Sequence, residues 1–373
     1  MTSLTLLLEI GAEELPSSFV DAALAALPKI VEEKLAALRL AHGTVTPLGT
    51  PRRLSILVAD LAATQPDLDE EVLGPPEGAA YKDGKPTKAA EAFATKLGVP
   101  LDALTIASRE ASGKQKAGRY LVGRRKEKGK PAAELLGRAL AEICGAIPFR
   151  KSMRWGDGDA TFGRPVQWIV ALFGSNLVDV AFAGISSGRK SRGHRFLAPA
   201  EIEIESPATY VTQLRKAHVL VDRKEREDTM MARVDEAAKK IGGAFVPDAY
   251  LVSENASLVE EPHVVTGSFD PSYLDLPASV IIAVARGHQK YFCVEDAQKK
   301  LLPNYLAVVN TALAPANIVK GNDRTMGARL SDAKFFSEED KKHGFSRWNG
   351  KIGTIVFHAR LGTVKDKVER LEE

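Results

Sequence analysis

The residues best suited to chemistry fall in two neighbouring blocks, Lys151-Ser152-Met153-Arg154-Trp155-Gly156 and Phe162-Gly163-Arg164-Pro165-Val166-Gln167-Trp168. Cations and flat rings stand together there, and Gly156 and Gly158 loosen the backbone between them. The run that follows, Trp168-Ile169-Val170-Ala171-Leu172-Phe173, reads as a buried strand. Cations and rings beside a rigid strand suit an anion or a nucleic-acid end. Lys151, Arg154, Trp155 and Arg164 are the candidates in this region. The competing reading is two core tryptophans with solvated arginines next to them.

The best RNA candidate is the tract Arg189-Lys190-Ser191-Arg192-Gly193-His194-Arg195-Phe196. Guanidinium groups can fork onto phosphate oxygens, Phe196 can stack under an unpaired base, and the small residues let the backbone approach a phosphate. Arg189, Lys190, Arg192, His194, Arg195 and Phe196 are therefore candidates. The alternative is a solvated loop with Phe196 tucked into the core. Arg124-Arg125-Lys126-Glu127-Lys128-Gly129-Lys130 is more basic but lacks an aromatic, and reads as a solvated hairpin tip. Arg52 and Arg53 after Pro51 could also face RNA, but arginines at a strand end are usually just surface residues.

Other chemistries find little support. No GxxxxGK[ST] is present, Gly156-Asp157-Gly158 does not extend to GxGxxG, and no ATP-gripping arginine motif of a class II synthetase is recognisable. The seven histidines show neither HxH nor HExxH spacing, and two cysteines without CxxC make a zinc site or disulfide framework an unsuitable reading. His263 follows Glu260-Glu261-Pro262, and His288 precedes Lys290; these three are the pocket candidates. No residue is assigned a catalytic role, and no metal is expected.

These groups need elements to hold them. Leu4 to Ile10 reads as a first strand and Leu54 to Leu61 as its partner. Val20, Leu24, Leu27, Val31, Leu35 and Leu38 recur at helical spacing behind a Ser17 or Ser18 cap, with Pro28 expected to kink or split the helix. Residues 65–88, rich in Pro, Gly and acid, read as a loop, and Thr87 caps a short helix that ends at Gly98. Tyr120–Arg125 reads as a strand, and Ala132–Ile143, Thr209–Leu214, Arg223–Ile241 and Leu276–Ala285 as helices. Tyr291–Val294 and Leu306–Val309 read as strands, and the chain from Phe335 on as helical and charged. Helices and strands mix without βαβ alternation, which predicts an α+β, multi-domain fold with mostly antiparallel sheets and a helical C-terminal extension.

The 373 residues suggest two or three domains, and 45% hydrophobic content is ample for cores. Net charge is only +3, so RNA contact must use local patches rather than a polybasic coat. No signal peptide or bilayer-spanning run is recognised, which reads as a cytoplasmic protein with no membrane partner.

Several strings in order along the chain resemble the β subunit of the bacterial two-subunit glycyl-tRNA synthetase. They are Leu6-Leu7-Leu8-Glu9-Ile10-Gly11-Ala12-Glu13-Glu14-Leu15-Pro16, Thr50-Pro51-Arg52-Arg53-Leu54, Gly74-Pro75-Pro76 and Gly193-His194-Arg195-Phe196, then Gly287-His288-Gln289-Lys290-Tyr291-Phe292 and Arg329-Leu330-Ser331-Asp332-Ala333-Lys334-Phe335-Phe336. The resemblance implies the N-terminal half of that subunit. It implies a domain over 1–150, a β-rich domain over 151–330 similar to the editing-type domain of phenylalanyl-tRNA synthetase, and a helical linker over 331–373 into a further helical domain. Its partners would be the α subunit and tRNA(Gly), with no DNA partner. ATP and Mg would be used by the α subunit, with no cofactor in this chain. The alternatives are a stand-alone aminoacyl-tRNA deacylase and a purely structural scaffold for α.

Overall fold

The computed structural model describes residues 2–111 and 117–373. It is an α+β fold of several mostly antiparallel open sheets. The first sheet is built around β1 (Ser3–Ala12), which is followed by helix α1 (Ser17–Ala37), β2 (Val45–Thr50) and β3 (Arg53–Ala62). The expected pairing of the first strand with residues 54–61 holds, in the register Leu8↔Ile56 and Ile10↔Leu54. Helix α1 runs on through Pro28. Leu24, Leu27 and Val31 are buried on both sides of that residue, and their packing outweighs the lost hydrogen bond.

Residues 65–88 do not form the expected loop. They contain β4 (Leu68–Pro76), and helix α2 (Lys88–Leu97), β5 (Thr105–Arg109) and β6 (Gly118–Glu127) complete a small sheet-and-helix unit. Residues 124–127 of the supposed hairpin tip lie in β6, and residues 128–130 follow it. Asp69, Glu70 and Glu71 stand opposite Lys126, Arg125 and Arg124 in the ladder, so each run supplies the other's counter-charge. Helix α2 is capped as expected, by the Thr87 side chain at one end and a left-handed Gly98 at the other.

Helix α3 (Ala132–Ala146) leads into β7 (Val166–Phe173), which lies on the other side of β1 from β3. The expected boundary between residues 150 and 151 thus lies between α3 and β7, and the first sheet takes strands from both sides of it. β8 (Ile185–Gly188) extends the sheet parallel to β7, and a two-stranded ribbon, β9 (Lys190–Arg192) with β10 (Glu201–Glu203), stands beside it. Alternation along β1 divides the sheet's two faces. Leu6, Leu8 and Ile10 join the core made with α1 and α3, whereas Leu7 packs with Trp168, Val170 and Leu172 and with Tyr210 of helix α4 (Tyr210–Lys216).

The second lobe repeats this logic. Helix α5 (Arg223–Lys240) covers one face of a sheet containing β11 (His263–Ser268), β12 (Phe292–Glu295) and β13 (Leu301–Val309). Met230 and Val234 of α5 meet Phe292, Val294 and Leu306, while Cys293, Tyr305 and Ala307 point to the other face, against Met326 and Leu330 of α6 (Pro315–Lys351). Gly344 breaks α6 with a left-handed φ of 56°. The C-terminal stretch is not wholly helical, because a short hairpin (Val356–His358 with Gly362–Thr363) precedes α7 (Val364–Glu372).

Candidate nucleic-acid interface

The site is organised from beneath by a carboxylate in the apolar strand β1. Glu9 is fully buried among leucines on the face opposite the α1 core. Its oxygens accept from the Trp168 indole N–H, the Tyr210 hydroxyl and, at 2.6 Å, the Ser191 hydroxyl. Ser55 bonds Tyr210 at 2.6 Å. Arg53 donates to Ser191 at 3.0 Å and approaches Glu9 at 3.8 Å. Four chain segments are tied to one buried group, and the plane of the Trp168 ring is fixed by it. Burial, then the Glu9 charge, pushes the Tyr210 hydroxyl well above its ordinary value, so it stays a donor.

A second buried carboxylate, Glu260, reaches in from the second lobe. It accepts from Arg53 Nη2 at 2.9 Å, Arg52 Nη1 at 3.2 Å and the Thr50 hydroxyl at 2.8 Å. Burial opposes its ionised form, but Arg53, Arg52 and the Thr50 hydroxyl outweigh that and hold it below the usual carboxylate range. Burial likewise opposes the charge on Arg53, and Glu260 and Glu9 overcome it. Arg52 and Arg53 are therefore not surface arginines. The two residues close the β2–β3 turn over the junction of the two lobes, and Arg52 also donates to the Gly193 carbonyl at 3.2 Å, fixing the basic tract.

The turn after β1, the β2–β3 turn, the start of β7 and the tract after β9 consequently meet at one edge of the first sheet. Backbone bonds stitch them together: Ala12 N–H to Arg52 O at 2.9 Å, Leu15 N–H to Pro51 O at 2.7 Å and Glu13 N–H to Pro165 O at 3.0 Å. Arg192 lies with its guanidinium carbon 4.9 Å from the Trp168 ring centroid, so the structure brings the two sequence blocks together at this pair. Beside it a cleft of about 470 Å³ opens between β7, β8 and the β9–β10 ribbon, with Gln167, Trp168, Ser186, Lys190, Arg192 and Glu201 among its lining.

The remaining candidates have varied surroundings. Arg195 is exposed and pairs with Glu13 and Glu14, each at 3.2 Å. Lys190 pairs with Glu201 at 2.9 Å and Arg154 with Asp159 at 3.3 Å. Arg164 donates to the Gly163 carbonyl, and Arg189 to backbone carbonyls of Ser175 and Glu205. Lys151 is exposed, and Trp155 is half-buried against the first core. Phe196 is 54% exposed, not tucked into the core. His194 is fully buried; its Nδ1 accepts the Phe196 and Leu197 N–H groups and shapes the tract's turn.

The three pocket candidates do not form one pocket. His263 is half-buried at the start of β11, paired in register with Val309, and its pKa is lowered by burial. His288 is exposed. Lys290, in a left-handed turn, sets its amine on the Tyr250 hydroxyl and ring. No hydrogen bond joins these three among the described residues, so they supply no nucleophile and base in contact. Among the described residues no group of three or more His, Cys, Asp or Glu side chains could hold a metal, and no helix is long and apolar enough to cross a membrane.

Sequence reasoning passed over Glu9, Glu260, Tyr210, Gln167 and Ser186. A signal existed for Glu9: a single acid inside Leu6-Leu7-Leu8-Glu9-Ile10 must find buried partners.

The family model described as "Glycyl-tRNA synthetase beta subunit" matches residues 6–373. The chain belongs to that family. It is 44% identical over 98% of its length to the glycine–tRNA ligase beta subunit of Myxococcus xanthus, covering 51% of that protein. Identity is 42% over 98% of the chain to the corresponding subunits of Geobacter sulfurreducens and of Trichlorobacter lovleyi, covering 52% of each. The chain therefore spans about half the length of the curated relatives it matches.

Proposed function

We propose that this chain acts as part of a cytoplasmic glycine–tRNA ligase, docking on the α subunit and helping to hold tRNA(Gly) while the α subunit uses ATP and Mg to activate glycine. The observation that carries the proposal is the family match along nearly the whole chain, joined to the rigid basic edge at Trp168, Arg192 and Arg195. A phosphate arriving at this edge exchanges places with the carboxylates that now neutralise Lys190 and Arg195, so affinity from these cations is modest and salt-dependent. The chain contains no phosphate-gripping loop, so adenylate formation falls to the other subunit. A deacylase would need an exposed base beside a nucleophile or a bound water, and the histidine candidates are not brought together.

The test is to mix the purified chain with the α subunit and follow co-sedimentation and glycine-dependent ATP–pyrophosphate exchange. The expected result is a complex whose exchange activity is also present in α alone and absent from this chain alone. Exchange by this chain alone, or no association with α, overturns the proposal.

A further inference from the structure

The cleft between β7, β8 and the β9–β10 ribbon has features that a general basic edge does not need. Its volume of about 470 Å³ lies in the range of small-ligand sites. Trp168 contributes to its wall but is only 7% exposed, and the bond to Glu9 holds its ring in one plane. Arg192 lies over that ring and, among the described residues, has no carboxylate at ion-pair distance. Arg192 is half-buried in the cleft wall, with Glu201 opposite it in the ribbon and Glu203 also in the lining, so its guanidinium is the planar group the cleft offers to a base. Gln167 and Ser186 line the cleft and offer both donors and acceptors. Glu201, kept ionised by the hydrogen bond and charge of Lys190, places an acceptor and a cation together at the rim.

This is the arrangement expected for one splayed-out nucleotide rather than for a duplex backbone. Stacking on a guanidinium recruits the base rather than the backbone, a carboxylate accepts from an exocyclic amine, and Lys190 meets the phosphate. A two-ring base fills more of such a cleft than a pyrimidine. We propose that the cleft binds a single unpaired purine nucleotide of RNA, stacked on Arg192 beside Trp168. The proposal rests on the RNA-binding reading above and adds a defined pocket and base class to it.

The experiment titrates AMP, CMP and inorganic phosphate into the full chain and follows the amide NMR signals of Gln167, Ile169, Ser186 and Gly188. AMP is expected to shift them at millimolar concentrations, CMP several-fold more weakly, and phosphate alone not at all. Arg192→Ala should weaken AMP roughly tenfold, the size of one good stacking contact. Gln167→Ala provides a second variant if Arg192→Ala disturbs the ribbon, and should weaken AMP while leaving the shifts of β3 unchanged. The proposal is overturned if AMP leaves these signals in place, if phosphate alone reproduces the shifts, or if AMP binds both variants as it binds the parent. Should AMP fail while the chain still binds tRNA and the α subunit, only the pocket is wrong. Should tRNA and α binding fail, the functional reading itself is wrong.

Discussion

Replacing Glu260 tests whether the two lobes are held together by a buried ionic latch. Its carboxylate is 1% exposed and accepts from three side chains, and Arg53 on the other side is fully buried. In Glu260→Ala, Arg53 keeps the Ser191 bond and a distant Glu9 at 3.8 Å, but loses its main counter-charge. Removing one partner of such a buried pair costs about 3–5 kcal/mol. Glu260→Gln keeps the shape and the oxygen that accepts from Arg53 and Thr50, but loses the charge and the acceptor that faces Arg52, at about 2 kcal/mol. Urea unfolding followed by tryptophan fluorescence should order the proteins parent, Gln, Ala. The pH dependence has a definite sign. Glu260 has a lowered folded pKa, so its contribution is complete above the unfolded carboxylate value, about 4.3, and is lost as pH falls through the folded one. The gap between parent and Glu260→Gln should therefore be constant at neutral pH and close only in strong acid. A Glu260→Ala protein within about 1 kcal/mol of the parent, or one no worse than Glu260→Gln, refutes the latch.

Other consequences are equally direct. A Cβ at Gly11 would lie 1.9 Å from the Trp168 ring, so Gly11→Ala should cost about 1–3 kcal/mol and alter tryptophan fluorescence, measurable in one urea titration. Burial pushes both Cys144 and Cys293 thiols up to about 12, so a thiol reagent should label neither until the chain is unfolded. His263 has its pKa lowered, first by burial, so its contribution is present above about 6.5 and lost as pH falls through the folded value; His263→Asn should flatten the decline of the thermal midpoint in mild acid. Lys190→Ala with Arg195→Ala should flatten the salt slope of tRNA binding by roughly 1.5 units, with little change in thermal midpoint for these exposed groups.

Much of the scaffold could be read before the structure, because β1, β3, α1 and α5 carry strong local patterns of burial and period. What escaped reading was non-local. Asp69-Glu70-Glu71 looked like loop until Arg124-Arg125-Lys126 stood opposite it. Arg52 and Arg53 looked like surface cations because their counter-charge, Glu260, lies more than two hundred residues away in sequence. The candidate site divides in the same way. The two basic blocks were visible as composition, yet their meeting at Trp168 and Arg192 depends on β7 lying beside β1 and on Glu9 holding the indole. The motif makes His194 a candidate RNA contact, whereas its place is inside the turn, fully buried, where it accepts two backbone N–H groups.

In the proposed function this chain meets tRNA through a few local cations, and the affinity of labelled tRNA(Gly) for the purified chain as salt is raised tests that contact. Weak binding at low salt is expected, falling with a log–log slope of a few units, because the exposed cations near the site mostly have carboxylate partners to displace. Tight binding that ignores salt, or no binding even at low salt, would contradict it.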